Sequence, residues 1–158
     1  MKLVVNRCYG GYVLSSKAVL RVLDLKRKTV FAYVQTNADD LEREAENFKR
    51  IDKTFEEGAW DFISYFDRPL DLCMNGDISY DELRHIESID TDFDRDDPEL
   101  LQVVEELGIE ASTVISKLEI IEIPDNHEYY IDDYDGVERV VSGVDLHING
   151  ERMKGART

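Results

Sequence analysis

The residues whose types and order could do chemistry lie near the start of the chain: Val4-Val5-Asn6-Arg7-Cys8-Tyr9-Gly10-Gly11, with Ser15 following. An apolar run, a glycine pair and a serine able to cap a helix describe a strand that turns into a helix N-terminus. Backbone N–H groups at such a turn converge on one point, where the helix dipole favours an anion, commonly a phosphate. Glycine suits the task because a Cβ would block close backbone approach or the positive φ the turn needs. Asn6 and Arg7 are expected to add side-chain hydrogen bonds, and Tyr9 or Tyr12 to stack on a base. The spacing is neither GxGxxG nor GxxxxGKS/T, so no nucleotide fingerprint applies. A plain strand-to-helix turn is the competing account of the same residues.

Elsewhere the chemistry is thin. Asp90, Asp92 and Asp94 occupy positions 1, 3 and 5 of an EF-hand loop. Position 6 requires glycine and is Arg95; position 12 requires glutamate and is Leu101. An acidic approach to a helix explains the run better, since carboxylates favour the positive end of the dipole. The stretch Asp132-Asp133-Tyr134-Asp135-Gly136 reads as an ordinary turn. His85, His127 and His147 are isolated, with no HxH, HExxH or CxxC spacing to place a metal. Cys8 falls on a predicted buried strand, where it is expected to be core rather than nucleophile. No GxSxG elbow occurs. No catalytic residue, metal ligand or cofactor follows from the sequence.

The elements that must position the N-terminal loop are well marked. Residues 2–8 read as a buried strand. A helix capped by Ser15 or Ser16 runs to about Lys28, its apolar face supplied by Ala18, Val19, Val22, Leu23 and Leu25. Leu14 and Val19 sit at hydrophobic-staple spacing, and Lys26, Arg27 and Lys28 suit the negative end of the helix dipole. Residues 29–36 and 60–66 read as strands. Residues 38–57 fit either an exposed helix or a ragged strand pair, with only Phe48, Ile51 and Phe55 as an apolar stripe. A turn at Asn75-Gly76-Asp77 precedes a short helix capped by Ser79. Asp97 as cap and Pro98 at the first helical position start a second long helix, which Gly108 stops. Residues 117–123 form a strand. Residues 128–141 fold as a hairpin about Tyr134-Asp135-Gly136. A small hairpin at 144–153 precedes a basic tail. The expectation is one α+β domain over 1–158: a mixed or antiparallel sheet with two main helices, about 15–28 and 98–107, packed on it.

Composition narrows the function classes. The chain of 158 residues carries a formal charge of −16, which argues against direct nucleic-acid binding by phosphate neutralisation. Residues 1–30 hold seven basic side chains against Asp24 alone, a balance of +6; the remainder holds 12 basic and 34 acidic, a balance of −22. A basic unit on an acidic body suits a small anionic ligand better than a long polyanion, although the same cations could merely solvate a helix face. The two cysteines, Cys8 and Cys73, read as thiols in a reducing compartment. No apolar run reaches membrane-spanning length. A cytoplasmic protein is expected.

The segment Val5-Asn6-Arg7-Cys8-Tyr9-Gly10-Gly11-Tyr12-Val13-Leu14-Ser15 resembles the "INxCYGGFxLS" opening of a family of small, uncharacterised proteins common in tailed-phage genomes. Arg95-Asp96-Asp97-Pro98-Glu99-Leu100 and Val103 to Gly108 look like that family's "RxDPxLxxVVEELG" block. Lys117 to Pro124 and Tyr134-Asp135-Gly136-Val137-Glu138 look like its "LKIVEIPDD…EYDGxE" end. Tyr12-Val13 stands where Phe-Gly is usual, and the tail after Ser142 replaces a short aromatic end. The resemblance implies a phage-encoded accessory protein in the host cytoplasm, of a kind that often blunts host defence.

Together these readings lead to a non-enzymatic homo-oligomeric binder that sequesters a small anionic ligand, with a nucleotide signal of host immunity as the candidate. The expected ligand-binding residues are Asn6, Arg7, Cys8, Tyr9, Gly10, Gly11, Tyr12, Ser15 and Arg95. The alternative is an acidic protein-binding inhibitor or DNA mimic, motivated by the −22 body. A third reading, a metal-dependent nucleotide hydrolase, rests on the acidic run from Asp90 to Asp97 alone.

Overall fold

The computed structural model describes residues 1–143, 147–148 and 151–152. The chain is α+β, and every strand pair among the described residues is antiparallel. Strand β1 (Lys2–Asn6) leads into helix α1 (Ser16–Leu25), then β2 (Phe31–Gln35), β3 (Glu46–Ile51), β4 (Ile63–Phe66) and β5 (Asp77–Ile78). A short helix α2 (Tyr80–Leu83) and the longer α3 (Pro98–Leu107) follow, α3 tightening into a 3-10 turn at Gly108–Ala111. The chain continues through β6 (Leu118–Glu122), β7 (Tyr129–Tyr134), β8 (Val137–Ser142), β9 (His147–Ile148) and β10 (Glu151–Arg152). Strands β4-β2-β3-β5 form one sheet, while β1-β6, β7-β8 and β9-β10 are separate two-stranded ladders. The small C-terminal hairpin is present as the β9-β10 pair; its turn at Asn149-Gly150 and the basic tail lie outside the described residues.

Helix α1 is the centre of the fold because its apolar stripe serves two cores. Ala18 and Val22 pack with Val4 of β1, Leu118 of β6, and Leu100, Val103 and Val104 of α3. Val19 and Leu23 pack with Ala32, Val34, Ile51 and Tyr65 of the four-stranded sheet. The sheet's other face buries Tyr33, Phe48 and Phe66 with Leu70 and Ile78. A fourth cluster joins Leu3 to Ile123 and Tyr129 beneath the β7-β8 hairpin. Strand β1 therefore buries side chains on both faces, which is why residues 3–5 read as a continuous apolar run.

The helix starts follow their caps. Ser15 Oγ accepts the Ala18 N–H at 3.1 Å, Ser79 Oγ the Glu82 N–H at 3.2 Å, and Asp97 Oδ1 the Leu100 N–H at 3.0 Å. The end of α1 departs from expectation. The helix stops at Leu25, not Lys28, because Arg27 takes a left-handed φ of 57°. The Lys28 N–H then donates to Leu23 O and the Arg27 N–H to Asp24 O, both at 2.9 Å, a Schellman ending without the usual glycine. Lys26, at the cap, reaches Asp97 at 2.5 Å and Glu99 at 3.3 Å. It thus ties the end of α1 to the start of α3.

Burial would push the Asp97 carboxyl up, but the hydrogen bonds from Lys26 and the Leu100 N–H outweigh it and hold the group below its ordinary value. A depressed folded-state value means that this stability is complete above the unfolded value of about 3.9 and is lost as pH falls through the folded one. Asp97→Ala should cost about 1–2 kcal/mol at neutral pH through loss of the cap and the ion pair. Asp97→Asn, which keeps a cap, should cost less. Urea melts at neutral and strongly acidic pH check both: in acid the parent should lose its advantage over Asp97→Asn, while Asp97→Ala, without a cap, stays below both.

Candidate functional site

The N-terminal loop is held from three directions. Asn6 is fully buried. Its Nδ2 donates to Cys8 O at 2.8 Å and Gly136 O at 2.6 Å, and its Oδ1 accepts the Lys117 N–H at 2.8 Å. Its own N–H donates to Glu138 Oε2 at 3.0 Å. Arg7 Nη1 donates to Glu138 O at 2.9 Å. Cys8 lies beyond the strand and is half-buried, a correction to its expected core position; its Sγ sits 3.7 Å from Asn6 Oδ1 and 3.6 Å from Ile115 O.

Two glycines make the crossing possible. Gly10 has φ +134°, and a Cβ there would stand 2.2 Å from Ile115 O. A Cβ at Gly136 (φ +90°) would stand 2.4–2.7 Å from the backbone of Gly10. The CYGG and YDG segments, some 125 residues apart, therefore press backbone to backbone. Gly11 differs: a Cβ there would meet only Val13 Cγ2, at 4.0 Å.

This geometry corrects the expected anion cradle. The Gly10 N–H donates to Asp135 O at 3.1 Å and the Gly11 N–H to Ile115 O at 3.2 Å, so neither is free for a ligand. At the start of α1 the Ser15 N–H donates to Ala111 O, and the Ser16 N–H to Glu57 Oε1. The chain's own carboxylate takes the position an anion would fill. Ser15 Oγ is engaged as well, donating to Glu110 O at 2.6 Å. Asn6, Arg7, Gly10, Gly11 and Ser15 of the sequence reading are thus bonded to other parts of the chain itself.

Arg95 and Tyr12 form the second part of the cluster. Arg95 Nη1 and Nη2 reach Glu138 Oε2 and Oε1 at 2.6 and 2.9 Å, a bidentate pair with both side chains largely buried. The guanidinium lies 3.4 Å from the centroid of the Tyr12 ring. The Tyr12 hydroxyl is buried without a hydrogen-bond partner among the described residues. Burial is the main reason its pKa is pushed up to about 12; Arg95 lowers it, and the charges of Glu138 and Asp92 raise it. Tyr9, by contrast, is exposed and stacks on no ring or cation among the described residues.

The basic N-terminal unit is also neutralised from within. Lys2 pairs with Glu105, Arg7 with Glu119, Lys17 with Glu110, Arg21 with Glu106 and Asp24, and Lys26 with Asp97 and Glu99. The +6 balance seen in sequence is mostly the docking charge of α1 and β1 against α3 and β6. Among the described residues no group of three or more His, Cys, Asp or Glu side chains is placed to hold a metal ion. No described helix is long and apolar enough to cross a membrane.

Sequence reasoning missed Glu138, on which Asn6, Arg7 and Arg95 all converge. The signal was present: Asn6, Arg95 and Glu138 each sit inside one of the sequence blocks singled out above. Compared with protein-family models, curated proteins and solved structures, the chain matches none.

Gly10→Ala and Gly136→Ala should each destabilise, by about 1–3 kcal/mol for the strained backbone and about 1–3 kcal/mol for the forced shift of the crossing. Gly11→Ala should fall within about 0.5 kcal/mol of the parent. Chemical denaturation of the three variants checks this ordering.

Proposed function

We propose that the protein acts without catalysis, as a small acidic inhibitor that binds a protein partner bearing a basic surface. The observation that carries this reading is what the fold leaves in solvent. Tyr9, Trp60, Phe62 and Tyr134 are 69%, 87%, 58% and 77% exposed on a chain of net charge −16. Exposed aromatic rings are the residue type that dominates binding energy at protein interfaces. An excess of carboxylates steers a basic partner towards them. Tyr9 and Tyr134 flank the glycine crossing together with exposed Val114 and half-exposed Ile115, so a rigid base carries this part of the surface. A carboxylate-lined surface can stand in for a phosphate array and occupy a nucleic-acid-binding site on its target. The resemblance to tailed-phage accessory proteins adds that the target belongs to host defence, met in the host cytoplasm.

Immobilised protein should retain a partner from host lysate at low salt and release it at high salt, as a charge-steered interface requires. Tyr9→Ser combined with Tyr134→Ser should weaken capture by roughly 30-fold per hot-spot residue while the melting temperature stays unchanged. Capture that ignores salt and both tyrosines would remove this reading.

A second reading, sequestration of a small anionic ligand by a homo-oligomer, has one observation in its favour at a different place. Lys49 and Lys53 flank an open groove of about 770 Å³ floored by Leu20, Val30, Ile51 and Phe55. Neither lysine has an ion-pair partner among the described residues. A nucleotide could lay its base on that floor and its phosphate between the two ammonium groups. Some nucleotide should then raise the melting temperature of the parent and not of a Lys49→Ala/Lys53→Ala variant. A panel of nucleotide signals that leaves the parent's melting temperature unmoved rejects it.

A further inference from the structure

We infer that the groove between the Tyr12 loop and β4 is a receptor for a single basic side chain, lysine or arginine, of the partner protein. This rests on the reading that the partner is basic and names the place where one of its cations is held. The groove has a volume of about 600 Å³ and lies open to solvent. Its aromatic walls are Tyr12, Phe62 and Tyr65, and its carboxylates are Glu57, Asp61 and Asp92. No lysine or arginine lines it.

Each of these features points to a cation with an apolar stem. Aromatic faces attract an ammonium or guanidinium group through their quadrupole, more strongly where water is thinned out. Lysine and arginine also bury their methylene stems along apolar walls while the charged head stays among polar groups. The nearest cation, Arg95, lies on the Tyr12 ring but is already matched by Glu138. The carboxylates retain acceptor capacity. Glu57 Oε1 takes the Ser16 N–H and Asp61 Oδ2 takes the Gly58 N–H, and no hydrogen bond to their second oxygens is present among the described residues. The Tyr12 hydroxyl on the same wall is buried without a hydrogen-bond partner among the described residues, and it can accept from a cation as well as donate. Phe62, more than half exposed, forms an uncovered apolar lip beside Trp60. An anion would face three carboxylates here and no lysine or arginine to offset them.

The test uses full-length protein and two short peptides, acetyl-Gly-Lys-Gly-amide and its arginine counterpart. Controls are the same peptide with an acetylated lysine, and 1,4-diaminobutane as a free amine. NMR titration should show shifts gathered at Phe62, Ser64, Tyr65 and Asp92 with at least one basic peptide, and none with the acetylated control. Asp61→Asn combined with Asp92→Asn should weaken binding by roughly tenfold. Tyr12→Phe keeps the ring over Arg95 and removes only the hydroxyl, so it should bind several-fold more weakly while melting no lower than the parent. Shifts that scatter over the acidic surface, survive the double variant, or arise only with diaminobutane would overturn the inference. A lysate partner captured equally well by the double variant overturns the groove and leaves the basic-partner reading standing. Peptide binding at the groove with no captured partner upholds the groove and removes that reading.

Discussion

The structure depends on closing the outer edge of β1. In the β1-β6 ladder the odd-numbered residues of β1 face β6: Ile123 donates to Met1 O, and Arg7 donates to Lys117 O. The even-numbered residues turn their backbone groups the other way, into the protein and towards no strand. Arg95 and Glu138 supply what a strand would. Val4 N–H donates to Arg95 O, Arg95 Nη1 donates to Val4 O, and Asn6 N–H donates to Glu138 Oε2. Buried N–H and C=O groups without partners are costly, so this ion pair does the satisfying work of a missing strand. Its two charges are themselves matched bidentately. That makes it harmless while intact and expensive to halve, because the survivor would be a buried, unpaired charge.

From that edge the rest of the N-terminal region follows. Glu138 fixes β8 beside β1, β8 fixes the Asp135-Gly136 turn, and the turn presses Gly136 on Gly10. The N–H groups of Gly10 and Gly11 are then taken by Asp135 and Ile115, whatever the glycines suggest. The same logic governs charge. A basic first fifth of the chain does not imply a basic surface when the segment it docks on is acidic. Lys26 and Arg21 act as struts between helices, and the exposed remainder of the molecule is left negative.

Much of this fold was legible in the sequence, and the exceptions have physical causes. The starts of α1 and α3 were readable because Ser15, Asp97 and Pro98 are local signals with local effects. The end of α1 was not, because its Schellman ending places Arg27, with no glycine to announce it, in the left-handed region. Residues 38–57 stayed open between helix and strand because Phe48 and Ile51 are three apart, which suits a helix face. In β3 that odd spacing puts them on opposite faces, Phe48 in one core and Ile51 in another. The candidate site was legible as a gathering of residues and illegible as a function. Motif reading places Asn6, Gly10 and Arg95 together but cannot say whether their hydrogen bonds go to a ligand or to Glu138. That depends on a contact across 132 residues.

The crossing of Gly10 and Gly136 also orders events during synthesis. Strand β1 is one of the most apolar segments and leaves the ribosome well ahead of the groups that satisfy its backbone: Arg95, then β6, then Glu138, 132 residues after Asn6. Until then Val4 can pack on Ala18 and Val22 of α1, while Leu3 lacks Ile123 and Tyr129. Closing so long a loop delays the contact further. The nascent chain thus carries an apolar strand with an unpaired edge until Glu138 has emerged, a state prone to self-association. The seven cations of residues 1–30, faced by Asp24 alone within that segment, supply like-charge repulsion between nascent chains over that interval.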